Sequence, residues 1–122
     1  MFLVAVVDDD PGILKGLSSL LRSEGYSVET FFSAESFLAS AASHSASFLV
    51  TDVQLPGIDG IALQATMRAK RPCLPVMVMT AFGDAVTRGK AMAGGAIDIL
   101  VKPFATERLL DQIALAARDG RT

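Results

Sequence analysis

The sequence predicts a doubly wound α/β domain: five parallel strands in one sheet, with helices on both faces. Three observations carry that prediction. Five short apolar runs alternate with segments whose apolar residues recur at helical spacing, which is the βαβαβαβαβα order of a parallel sheet with right-handed crossovers. The runs other than Ser27–Phe31 are largely apolar at successive positions, as expected of strands covered on both faces. Four of the runs end in polar or reactive residues, at Asp8, Asp52, Thr80 and Lys102. A chain of 122 residues with 51% hydrophobic content has room for one such core and not for two domains.

The first strand is read over Phe2–Val7, stopped by Asp8-Asp9-Asp10-Pro11-Gly12. Asp10 before Pro11 has the form of an N-cap with proline at the first helical position. Ile13, Leu14, Leu17, Leu20 and Leu21 keep helical phase until Gly25, placed as a left-handed cap. Ser27–Phe31 is a more polar strand, suited to a sheet edge. Ser33 opens a short helix from Ala34 to about Ala41, and the small, polar Ala42–Ala46 reads as a loop. Phe48–Asp52 is the third strand, broken by Pro56-Gly57. Asp59 is placed to cap a helix over about Ile61 to Ala69. Val76–Met79 is the fourth strand, ending at Thr80. Asp84 is placed to cap a helix over Ala85–Ala93. That helix has few large apolar residues, and Gly89 inside it costs about 1 kcal/mol against Ala. Gly94-Gly95 stop it. Ala96–Val101 is the fifth strand, and Thr106 is expected to cap a last helix carrying Leu109, Leu110, Ile113 and Ala117.

Composition excludes several classes. The net charge is −2 and the basic residues are scattered, so no basic stripe marks a nucleic-acid surface. The Arg68–Arg71 cluster reads as a solvated helix end. Cys73 is the single cysteine, which rules out an intramolecular disulfide and reads as an inert loop thiol. His44, the single histidine, reads as solvated. No apolar run approaches the ~20 residues of a membrane span. Phe2–Val7 has no basic flank, so it does not read as a signal peptide, and the expected location is the cytoplasm.

The chemistry gathers at strand ends. Asp8 and Asp9 follow strand one, Asp52 ends strand three, Thr80 ends strand four and Lys102 follows strand five. In a parallel sheet all of these share the carboxyl edge, where ligands bind in open α/β folds. Three adjacent carboxylates repel and call for a cation. An all-oxygen set suits Mg²⁺, which takes one or two carboxylates, waters and a phosphate. With the Lys102 ammonium and the Thr80 hydroxyl, the set has the form of a receptacle for a phosphoryl group on a nucleophilic Asp52. Each residue alone has a plainer role, as a cap, a turn residue or a solvated side chain; their joint placement is what points to function.

Val7-Asp8-Asp9-Asp10, Thr51-Asp52-Val53-Gln54-Leu55-Pro56-Gly57-Ile58-Asp59-Gly60, Met79-Thr80-Ala81 and Lys102-Pro103-Phe104 together resemble the receiver domain of bacterial two-component response regulators, over about Phe2 to Ala117. Ser33–Leu38 and Thr80–Asp84 are similar to receivers of the FixJ/NarL type. The resemblance implies the flavodoxin- or CheY-like sheet with strand order 2-1-3-4-5 and a receiver over residues 1–118, with 119–122 a tail or the start of a linker. It implies Asp52 as phosphoacceptor, and Mg²⁺ held by Asp8, Asp9, Asp52 and the backbone carbonyl of Gln54. Lys102 is then a contact of the phosphoryl group, and Thr80 moves to bond it. The Lys102–Pro103 bond is expected to be cis. The implied partners are a sensor histidine kinase, a second copy on phosphorylation and a following DNA-binding effector domain, with no nucleic-acid or membrane binding by this domain. Such a domain is a switch that assists its own phosphorylation and dephosphorylation more than an enzyme. Its output face is formed by the fourth helix, over Ala85–Ala93, the fifth strand and the last helix. One position departs: receivers usually carry Phe or Tyr three residues before the lysine, and here Ile99 stands there as a strand aliphatic.

Two rival readings fit less well. A haloacid-dehalogenase-type phosphohydrolase has D-x-D-x-T/V on its first strand, but Gly12 stands where Thr or Val belongs, and there is no room for a cap domain. A non-phosphorylated interaction module on the same fold is expected to lack the acceptor, the acid pair or the lysine.

Overall fold

The computed structural model describes residues 2–81 and 83–119. Its order is β1 (Leu3–Val7), α1 (Pro11–Ser23), β2 (Ser27–Phe31), α2 (Ala34–Leu38), α3 (Ala42–Ser45), β3 (Phe48–Asp52), α4 (Gly60–Lys70), β4 (Val76–Thr80), α5 (Ala85–Ala93), β5 (Asp98–Val101) and α6 (Thr106–Asp119). The five strands form one parallel sheet in the order β2-β1-β3-β4-β5, as predicted.

Strand alternation divides the core in two. Val4, Val6, Phe48, Val50, Met77, Met79 and Leu100 face α1 and α6, meeting Leu14, Leu17, Leu21, Leu109 and Ile113. Ala5, Val7, Leu49, Val76, Val78 and Ile99 face the other way, against Phe37 of α2, Leu63 and Met67 of α4 and Ala91 of α5. Because both faces are covered, the central strands show no polar alternation; β3 and β4 are buried at every position.

The capping residues act as read. Asp10, Ser33, Asp59 and Asp84 each accept a backbone N–H from the first turn of their helix. Gly25 takes φ +90, which closes α1 with Gly25 N–H on Arg22 O and Tyr26 N–H on Leu21 O.

Six readings are corrected. The Ala42–Ala46 loop is a one-turn helix over Ala42–Ser45, and α2 stops at Leu38 instead of Ala41. The cause is tertiary: Ala42 and Ser43 are buried, and the Arg71 guanidinium donates to Ser43 O at 3.5 Å, so packing orders a segment with no apolar period. Strand β5 starts at Asp98, not Ala96, because Ala96 N–H closes the end of α5 on Ala91 O. Thr106 is the first residue of α6 rather than the residue preceding it. Helix α6 runs on through Arg118 and Asp119, where a tail was expected; residues 120–122 of that tail, like Phe82 of the Thr80–Asp84 loop, lie outside the described residues. Arg68 is not merely solvated, since its guanidinium donates to Gly94 O at 3.3 Å.

Candidate functional site

Register places the reactive residues level with one another. Val7 pairs with Thr51, Asp52 with Met79, and Thr80 with Val101, so the next residues out are Asp8 on β1 and Lys102 on β5. Ladder bonds continue past the strands, from Asp8 N–H to Phe31 O, Val53 N–H to Met79 O and Lys102 N–H to Thr80 O. The peptide between Lys102 and Pro103 is cis, as the resemblance implied.

At this edge Lys102 Nζ donates to Asp8 Oδ2 at 2.8 Å and to Asp52 Oδ2 at 3.1 Å. Asp8 and Asp52 are buried while Asp9 is exposed, and carboxylate oxygens of all three lie within 4.8 Å of one another. Burial raises the Asp52 pKa above 3.8, and the neighbouring Asp8 charge adds to the rise; the Lys102 bond opposes both. For Lys102, burial acts to lower the pKa, but the bonds to Asp8 and Asp52 outweigh it and the ammonium is held above 10.5. Three carboxylates against one ammonium leave two formal negative charges in excess. That is the charge and donor chemistry a hard divalent cation matches, with one acid open to solvent as an entry side.

Other contacts fix the Asp52 and Asp8 carboxylates. Asp52 Oδ1 accepts Gln54 N–H at 3.3 Å, and Asp8 Oδ1 accepts Asp10 N–H at 2.9 Å. Gly60, at the start of α4, packs on the backbone behind Asp52: a Cβ there would lie 2.0 Å from Asp52 O. Asp10 is engaged as the cap of α1 through Gly12 N–H at 2.8 Å, which leaves the D-x-D reading of the first strand without its second acid.

These are the residues and spacings of a known family. The chain matches the response regulator receiver domain over residues 4–114. The chain belongs to that family. This receiver is 39% identical over 117 residues to the transcriptional regulatory protein FixJ of Bradyrhizobium diazoefficiens, covering 96% of the chain and 57% of that protein. It is 38% identical to nodulation protein W of the same organism, covering 98% and 52%. It thus spans little more than half the length of those relatives. Among solved structures, the BeF3-activated DrrB receiver domain superposes with a TM-score of 0.86 at 33% identity, covering 97% of this chain and 98% of that one.

The receiver shows more than the sequence reading used. Gln54 was expected to act through its backbone carbonyl; its side chain also spans the site, with Nε2 3.3 Å from Thr80 Oγ1 and Oε1 3.4 Å from both Thr80 Oγ1 and Ala81 N. Glu35 of α2 accepts Ile58 N–H at 3.1 Å and so fixes the loop after Asp52. Nothing in their local pattern marks either residue. Ile99 is 3% exposed and packs in the core, consistent with its reading as a strand aliphatic. No helix among the described residues is long and apolar enough to cross a membrane.

Proposed function

We propose that Asp52 accepts a phosphoryl group from the phosphohistidine of a sensor histidine kinase. Asp8, Asp9, Asp52 and the backbone carbonyl of Gln54 would hold Mg²⁺. The observation that carries this is the buried Asp52 carboxylate, ion-paired to Lys102 at 3.1 Å and gathered with the oxygens of Asp8 and Asp9. An Asp52 oxygen forms the new O–P bond as the donor's N–P bond breaks, and the imidazole keeps the electron pair. Lys102 stabilises the charge on the transferred oxygens, and the Thr80 hydroxyl turns to donate to one of them. When bound, Mg²⁺ supplies further neutralisation of that charge. The domain assists its own phosphorylation and dephosphorylation and otherwise acts as a switch.

Phosphorylation is read through the face of α5, β5 and α6, the output being control of a linked effector or a second copy. A DNA-binding effector fits the relatives named as transcriptional regulators, and the setting is cytoplasmic. The receiver unit is taken to end with α6, one residue past the expected 118, with a tail or linker beyond.

Incubation with Mg²⁺ and a small-molecule phosphodonor tests the proposal. Intact mass should rise by one phosphate, with no rise in Asp52→Asn; no rise in the wild type would overturn it. Stability gives a second check. Because the folded-state pKa of Asp52 is raised, the charged carboxylate costs stability above its unfolded pKa of about 3.8. Asp52→Asn should therefore raise the thermal midpoint in metal-free buffer, and added Mg²⁺ should stabilise the wild type more than the variant.

A further inference from the structure

Helix α5 is held to the domain in an unusual way. Of its nine residues one, Ala91, is buried, while Val86 and Met92 are 67% and 54% exposed. Apolar packing therefore fixes little of it. Its last turn, however, is gripped by two polar side chains one turn apart on α4. Gln64 is 1% exposed, and its Nε2 donates to Ala91 O at 2.8 Å. Ala91 O also accepts Ala96 N–H at 3.0 Å, so both of its lone pairs are used. Arg68 Nη1 donates to Gly94 O at 3.3 Å.

The two glycines that end α5 are shaped by these side chains. A Cβ on Gly94 would lie 2.9 Å from the Gln64 carboxamide carbon, and one on Gly95, at φ +93, would lie 1.6 Å from Arg68 Nη1. Gly94-Gly95 thus does more than stop a helix: it admits both donors to the carbonyl end. At the other end, four positions after Thr80 in the chain, the exposed Asp84 caps α5 through Thr87 N–H.

We propose that Gln64 and Arg68 clamp the C-terminal end of α5, so that the helix pivots at Ala91–Gly95 and its Asp84 end is the one that moves. This rests on the reading of α5 as part of the face that reports the state of Asp52. The clamp converts a displacement of Thr80 into a swing of the near end, because a helix with one fixed end tilts and does not translate. Because both bonds lie at one end, the rest of the helix can be displaced without giving up close-packed apolar contacts.

A variant that folds is available from the bonding itself. Gln64 Oε1 has no hydrogen-bond partner among the described residues. Gln64→Met therefore removes one bond and one unsatisfied oxygen together, keeps the volume, and leaves Ala91 O bonded to Ala96. In the metal-free protein, amide hydrogen exchange at Gly94 and Ala96 should quicken about tenfold in Gln64→Met, the effect of one buried hydrogen bond on a local opening, with β3 and β4 unchanged. A change below about twofold at both amides overturns the clamp, since local opening would then not depend on it.

The pivot is tested by titrating Mg²⁺ and beryllofluoride while following amide shifts along α5. In the wild type the changes should fall from Val86 to Ala93, and in Gln64→Met/Arg68→Ala the fall should flatten. A wild-type gradient that is absent or reversed, or one the double variant preserves, overturns the pivot. A wild type with no response at Asp52 would instead overturn the phosphoacceptor reading, and the metal-free exchange would still decide the clamp.

Discussion

Helices α1 and α5 both follow a strand's carboxyl end, lie on opposite faces of the sheet and begin alike, each with an aspartate cap, yet they are attached by different physics. Helix α1 sets Leu14, Leu17 and Leu21 into the core shared with β1 and α6. Helix α5 contributes Ala91 and is otherwise held by backbone carbonyls that accept from Gln64 and Arg68. The first attachment stores its stability in close-packed apolar area, which any displacement forfeits. The second stores it in two directional bonds at one end, which leaves the other end cheap to move. A receiver needs both: a fixed frame that sets Asp8 and Asp52 against each other, and an element whose position the phosphoryl group can change.

The largest expected effect breaks the frame. Leu21 is fully buried, so Leu21→Ala should cost about 2–5 kcal/mol in denaturant unfolding, by lost transfer energy and the cavity left behind. α5 has no comparable site, and a similar loss from any single truncation within Ala85–Ala93 would contradict the contrast.

A matched pair sharpens it. Gly16 in α1 and Gly89 in α5 both lie within helices, and a Cβ at either meets nothing within 4 Å. Each Gly→Ala change should stabilise by about 0.5–1 kcal/mol. Gly16→Ala should leave the response to phosphorylation unchanged, while Gly89→Ala should weaken it by stiffening the moving element. Equal effects of the two on that response would remove α5 from its assigned role.

The smallest effect is one of pH. Backbone and side-chain hydrogen bonds from Thr87 hold the Asp84 pKa below 3.8. A depressed carboxylate stabilises above its unfolded pKa, and that contribution is lost as pH falls through the folded value. Acidification below about pH 3.8 should therefore lower the protection of the Thr87 amide, relative to its unstructured exchange rate at the same pH, before it affects β3 or β4.

Much of this was legible in the chain. Five strands, their order once the family was recognised, and the gathering of Asp8, Asp9, Asp52, Thr80 and Lys102 all follow from local signals: apolar runs, caps, and reactive residues at run ends. The weakness of α5 was legible from Gly89 and its sparse apolar residues. What holds α5 was not, because Gln64 and Ala91 are 27 positions apart and nothing local distinguishes Gln64 from a solvated glutamine. The same is true of Glu35 on Ile58 N–H, and of α3, whose Ala-Ser-His-Ser sequence is ordered by burial and not by periodicity. Contacts between distant elements decide these, and a pattern read along the chain does not contain them.

The central claim is that phosphorylation of Asp52 is reported by the lightly packed helix while the packed one stands still. Amide hydrogen exchange across Pro11–Ser23 and Ala85–Ala93, measured with Asp52 unmodified and phosphorylated, tests it directly. The account predicts that α5 exchanges faster than β3 and β4 before phosphorylation and changes upon it, while α1 stays the same. An α5 as protected as the central strands, and unaltered by phosphorylation, would contradict it.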